Sequence, residues 1–204
     1  MKTLSGILLF LAFAFNLNAQ QSTFIHYEGN GKVILTDGKV LEGIVEYALT
    51  YPGTVRITIG DDREKYKAKE VKEFFVQDKH YFALKFSGEI TVGSDLSFAY
   101  IISPDSARLK LYKNETQPIV GSGDQVPVTV SYYVGLPDSK DEVLPLGHLS
   151  LNPSKKLSKF YESCPSLVAK INNKEKGFSY GMITSDENRL TVIEKLNTEF
   201  ASCK

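Results

Sequence analysis

The chain of 204 residues has no tryptophan, two methionines, two cysteines and three histidines, and its 24 basic and 24 acidic residues cancel. Each shortage excludes something. Two cysteines cannot build a disulfide-dense miniature scaffold or a cysteine-rich zinc site. His26, His80 and His148 stand too far apart in sequence to share a metal-binding helix. A neutral balance removes the electrostatic reason to seek nucleic acid or anionic lipid. Long apolar runs are also missing. The longest apolar stretch, Ile7–Phe15, is well short of the roughly 20 residues that cross a bilayer.

That short run has a different meaning. In "MKTLSGILLFLAFAFNLNAQ", Lys2 precedes the apolar core, and small or polar residues follow, with Ala19 at a cleavage position. This is the pattern of a secretory signal peptide over residues 1–19. It predicts an exported chain, periplasmic or extracellular, with no transmembrane segment in the mature part. Roughly 185 residues remain, enough for one substantial core. We read residues 20–204 as a single α+β domain, with a subdivision near 104 as an alternative: β-rich 22–103, then mixed 104–204.

The β-rich reading rests on alternation and turn chemistry. "KVILTDGKVLEGIVEY" places Asp37-Gly38 between two apolar runs, a strong hairpin signal. Gly43 inside the second run predicts a bulge or sharp bend. Val55, Ile57 and Ile59 alternate strictly before a polar turn at Gly60 to Asp62, and "HYFALKF", "FAYII", "ARLKLY" and "VTVSYYVGL" continue the strand pattern. The mixed-sign run "DDREKYKAKEVKE" reads as a solvated face. The expected fold is therefore an antiparallel sheet or small barrel over the first two thirds, followed by C-terminal helices.

Helical spacing begins near Asn152, a candidate N-cap followed by Pro153. Leu157, Phe160, Tyr161 and Cys164 share one face, and Leu167, Val168 and Ile171 extend it, but Pro165 should kink or break the helix. Thr184 and Glu187 form a capping-box pattern ahead of a last helix. There Leu190, Ile193, Leu196 (or Asn197), Phe200 and Cys203 share a face.

No catalytic, cofactor-binding or metal set emerges, and no cofactor is expected. "IVGSGDQ" lacks the spacing of a nucleophile elbow, "LPDSKDE" lacks that of a calcium loop, and no phosphate loop appears. Cys164 has three readings: a reactive thiol at a helix start beside Lys159, a small buried side chain, or half of a disulfide with Cys203. An oxidising compartment and an even cysteine count favour the bond. Asn114-Glu115-Thr116 is a formal N-glycosylation sequon at Asn114. The eleven tyrosines and twelve phenylalanines serve core packing or line an apolar ligand groove.

Three resemblances add to this. "VILTDGKVLEGIV", through Asp37, Gly38 and Gly43, resembles the first motif of Sm-like small barrels, which implies a small, strongly bent β-unit over residues 33–45. The whole layout resembles uncharacterised secreted proteins of Bacteroidota: leader, "GKVILTDGKVLEGIVEY", "KAKEVKEFFV", "ARLKLYKN", "YYVGLPDSKDEVLPL", "CPSLVAKI" and a final helix. That likeness implies compartment and architecture. Asp105-Ser106-Ala107 resembles the acceptor of the O-glycosylation system of that group, which makes Ser106 a second candidate glycosylation residue. The expected function is a non-catalytic binding or envelope-associated module, its partner an envelope protein or a small apolar ligand. The alternatives are a small apolar-ligand carrier, or a hydrolase or thiol enzyme with dispersed catalytic residues.

Overall fold

The computed structural model describes residues 24–87, 96–118, 127–135, 139, 141–150, 152–181 and 183–203. The leader with its cleavage position, "IVGSGDQ" and most of "LPDSKDE" lie outside the described residues, wholly or nearly so. The predicted α+β fold is present: strands occupy the first two thirds and helices follow.

The first five strands are β1 (His26–Leu35), β2 (Val40–Ala48), β3 (Thr54–Ile59), β4 (Asp62–Lys67) and β5 (Val71–Val76). The Asp37-Gly38 hairpin forms as expected. Gly38 takes φ 90°, and Asp37 Oδ1 accepts the Lys39 amide at 2.9 Å. Gly43 is not a bulge, because the β1–β2 ladder runs unbroken through the facing pair Gly31 and Gly43. The register shift falls instead at Ile34/Leu35, where β1 meets β5. The two glycines serve close approach. A Cβ at Gly31 would run into the Phe75 carbonyl oxygen, and one at Gly43 into that of Thr58. The turn after β3 is one residue shorter than predicted, since Asp62 already pairs with Ile59. Exposed, charged β4 is the free edge of the sheet, and its Lys and Glu side chains discourage pairing with another strand.

Five more strands follow: β6 (Lys79–Phe86), β7 (Leu96–Ile101), β8 (Lys110–Thr116), β9 (Thr129–Gly135) and β10 (Glu142–Pro145). The ten strands form one sheet, β10-β9-β8-β7-β6-β5-β1-β2-β3-β4. Parallel pairing of β10 with β6, through Glu142 with Lys85 and Val143 with Phe86, closes β6 to β10 into a five-stranded barrel.

Side-chain alternation then divides the interior. On β6 and β7, Tyr81, Phe98 and Tyr100 face a core built with Val33, Val45, Tyr47, Ile57 and Phe74. Leu84, Phe86 and Ala99 face the other way, filling the barrel with Tyr112, Tyr133 and Val143. Both faces of these two strands are therefore buried. Phe86 and Tyr133 meet edge to face at 4.6 Å, so the barrel interior is packed with side chains.

The outer face of β8 to β10 is covered by a 3-10 helix (Leu146–Ser150), α1 (Pro153–Phe160), α2 (Pro165–Asn172) and α3 (Asp186–Ala201). Pro165 breaks the helix rather than kinking it: α1 stops at Phe160, and Cys164 becomes the residue ahead of α2, with Pro165 at its first position. Leu157, Tyr161, Cys164, Leu167 and Ile171 nevertheless enter one core. Asn152 precedes α1 in a left-handed conformation (φ 55°), and its side chain makes no capping bond. The cap of α3 is Ser185, one residue beyond the predicted Thr184, and its hydroxyl accepts the Asn188 amide.

Candidate functional site

Cys164 and Cys203 form a disulfide with Cα atoms 5.9 Å apart. Neither lies on a helix stripe: Cys164 precedes α2, and Cys203 follows the end of α3. The bond ties these two helix termini together. Cys164 is buried, and its sulfur is committed, so neither the reactive-thiol nor the free-thiol reading fits this geometry.

Ser106 is exposed on a turn in which the Ala107 amide donates to Pro104 O at 2.9 Å. Asn114 is buried on β8, and its Nδ2 donates to Phe98 O at 2.7 Å across to β7. Of the two candidate glycosylation residues, Ser106 is therefore at the surface and Asn114 is not.

The three histidines do not converge on a metal, and among the described residues no group of three His, Cys, Asp or Glu side chains could hold one. His26 stands beside Glu28 at the exposed start of β1. His148 is exposed in the 3-10 helix before α1. His80 has the richest setting. Its Nε2 lies 2.7 Å from Glu73 Oε2, and its ring stacks on Phe75 at 3.9 Å and approaches Phe82 at 4.1 Å. The β5–β6 hairpin makes this arrangement, pairing Phe75 with His80 and Glu73 with Phe82. A histidine oriented by a carboxylate is two thirds of a hydrolytic triad. Among the described residues no serine, threonine or cysteine side chain hydrogen-bonds to the pair. The aromatic sandwich instead holds the imidazole as part of the sheet face.

A second cluster gathers where β1, β6, β7 and β8 meet. Glu115 accepts from Tyr27 Oη at 2.6 Å and Tyr100 Oη at 3.2 Å, and pairs with Lys113 Nζ at 2.7 Å. Lys79 Nζ lies over the rings of Tyr27 and Tyr100, at 5.0 and 4.2 Å. Burial pushes the Glu115 carboxyl up, but the bonds from Lys113 and Tyr27 outweigh it and hold the group below its usual range. Burial and the Glu115 contact push the Tyr27 phenol up. Every polar tip in this cluster has a partner, so it reads as a staple between strands distant in sequence.

Two surface grooves flank α1. One, of about 850 Å³, mixes polar side chains (Asn152, Ser158, Asn172 and Lys174 among them) with the apolar surfaces of Pro153 and Tyr180. The other, of about 510 Å³, lies against the 3-10 helix, with Leu144, Leu149 and Phe160 beneath His148, Lys156 and Lys159.

Neither the His80–Glu73 pair nor the Glu115 cluster was evident from sequence. The first follows from the hairpin turn at Gln77-Asp78, where Gln77 takes φ 55°. Recognising that turn would have set the register and brought the two residues together. The second joins Tyr27 to Glu115 over 88 residues, and no local pattern carries it. No family model, curated protein or solved structure matches the chain.

Proposed function

We propose that the chain is an exported, non-catalytic binding module of the cell envelope or its surroundings. The Cys164–Cys203 disulfide carries this reading. Such a bond persists in oxidising compartments, and it occupies both thiols that a cysteine enzyme would need. The leader pattern points the same way, and no helix among the described residues is long and apolar enough to cross a membrane. Binding belongs on the surface, because side chains fill the barrel interior. The likeness of residues 33–45 to Sm-like barrels is kept at the level of shape, supported by the Asp37-Gly38 hairpin and the close approach at Gly43. The likeness to secreted Bacteroidota proteins agrees with the proposed compartment.

Fractionation of a Gram-negative host expressing the full chain tests the reading. The expected product is periplasmic or extracellular, has lost its leader near Ala19, and takes up no alkylating reagent until reduced. A cytoplasmic product that keeps its leader, with both cysteines alkylated, would overturn export. Turnover on a panel of ester, peptide and glycoside substrates that His80→Gln abolishes would overturn the non-catalytic assignment.

A further inference from the structure

We infer that the groove between the 3-10 helix Leu146–Ser150 and α1 takes the acyl chain of a single-tailed anionic amphiphile, with Lys159 beside the head group. This rests on the binding reading and gives it a ligand class.

The floor is apolar and well supported. Leu149 is buried in the helical core, and Leu144 and Phe160 pack against that core while staying half exposed. The rim is cationic. Lys156 Nζ reaches across to donate to His148 O at 2.6 Å, bracing the two walls. Lys159 is exposed and has no acidic partner among the described residues. No described residue lining the groove is acidic, and α1 carries Lys155, Lys156 and Lys159 without any Asp or Glu. The volume of about 510 Å³ suits a small ligand. An apolar trough with unpaired positive charge at its lip complements a molecule with an apolar tail and a negative head. The long lysine stems cover apolar surface while their ammonium groups stay in water. A free fatty carboxylate and a single-chain phosphate ester share this chemistry.

The test is an amide-shift titration of the purified, ¹⁵N-labelled exported chain. Dodecanoate, dodecyl phosphate and uncharged dodecyl maltoside are each added below their micelle-forming concentrations. Both anionic chains are expected to give saturable shifts at Gly147, His148, Lys159 and Phe160, and the tighter of the two identifies the head group. Dodecyl maltoside should bind at least about tenfold more weakly, a difference of about 1.4 kcal/mol. Lys159→Glu, an exposed change, should weaken the anionic chains by a similar factor and leave the uncharged one unaffected. Absence of saturable shifts at these amides would overturn the proposal. So would equal affinity for the uncharged chain, or, with anionic phospholipid vesicles as a fourth titrant, binding to the vesicles alone, which would assign this face to a membrane surface. The export test reads compartment and thiol state, so either result stands without the other.

Discussion

Asn197 on α3 and Leu109, just ahead of β8, lock together through both ends of one side-chain amide. Asn197 Oδ1 accepts the Leu109 amide at 3.0 Å, and its Nδ2 donates to Leu109 O at 2.9 Å. The same Oδ1 accepts from Tyr161 Oη at 2.9 Å, at the residue closing α1. One buried polar side chain thus fixes α3 against both the barrel and the first helix.

Asn197→Ala should therefore destabilise by about 2–4 kcal/mol, because it strands a buried N–H, a carbonyl and a phenol. Asn197→Leu should be no better: its added apolar surface satisfies none of the three. Urea denaturation of each variant measures the difference, and a loss below about 1 kcal/mol would show that water enters and replaces the amide.

The disulfide should matter for similar reasons of docking. It joins residues 39 apart, and the chain-entropy model gives about 4 kcal/mol for a loop of that length. Cys203→Ser is expected to lose much of that stability and to leave Cys164 buried and slow to alkylate in the folded state. Denaturation with and without reductant should reproduce the same difference in the unmutated chain.

Strands and helices were legible because their signals are local: the Asp37-Gly38 turn, the Val55-Ile57-Ile59 alternation, and Pro165 as a breaker. Gly43 suggests a bulge or sharp bend in sequence because the pattern shows a missing side chain but not the Thr58 carbonyl that requires it. The barrel was not foreseeable in detail. Its closing strand β10 is short, and it pairs in parallel with a strand more than 50 residues away. Cys164 keeps helical spacing with Leu157 and Tyr161 across a break, so the periodicity outlives the helix that would explain it, and Cys203 keeps the spacing of Phe200 although α3 ends at Ala201. The grooves beside α1 depend on how that helix lies against Leu144 and Leu149, which only tertiary packing sets.

Glu115 should give the fold an acid-sensitive component. Its carboxyl sits below the usual range when folded, so the folded chain binds fewer protons there than the unfolded chain. That contribution is complete above the ordinary carboxylate pKa of 4.5 and is lost as pH falls through the depressed folded value. Between about pH 5 and pH 2 the urea midpoint of the unmutated chain should fall faster than that of Glu115→Gln. At pH 7 the variant should be the less stable of the two, since the Lys113 ammonium loses its charged partner. Parallel pH profiles for the two proteins would remove Glu115 as the source.

Gly31 and Gly43 face each other in the centre of the β1–β2 ladder, and each lies against the carbonyl of a residue on the far side: Phe75 on β5 for one, Thr58 on β3 for the other. A methyl group at either position has to push a strand outward, and a backbone carbonyl cannot swing aside as a side-chain tip can. Gly31→Ala and Gly43→Ala should each cost about 2 kcal/mol or more, despite the usual gain from a less flexible unfolded chain. Gly38 differs, because no atom would touch its Cβ and the strain there is that of φ 90° alone. Gly38→Asn, a residue that tolerates this conformation, should therefore be nearly neutral while Gly38→Val is not. Equal losses for Gly43→Ala and Gly38→Asn in thermal denaturation would mean that crowding at the ladder centre is not what requires glycine.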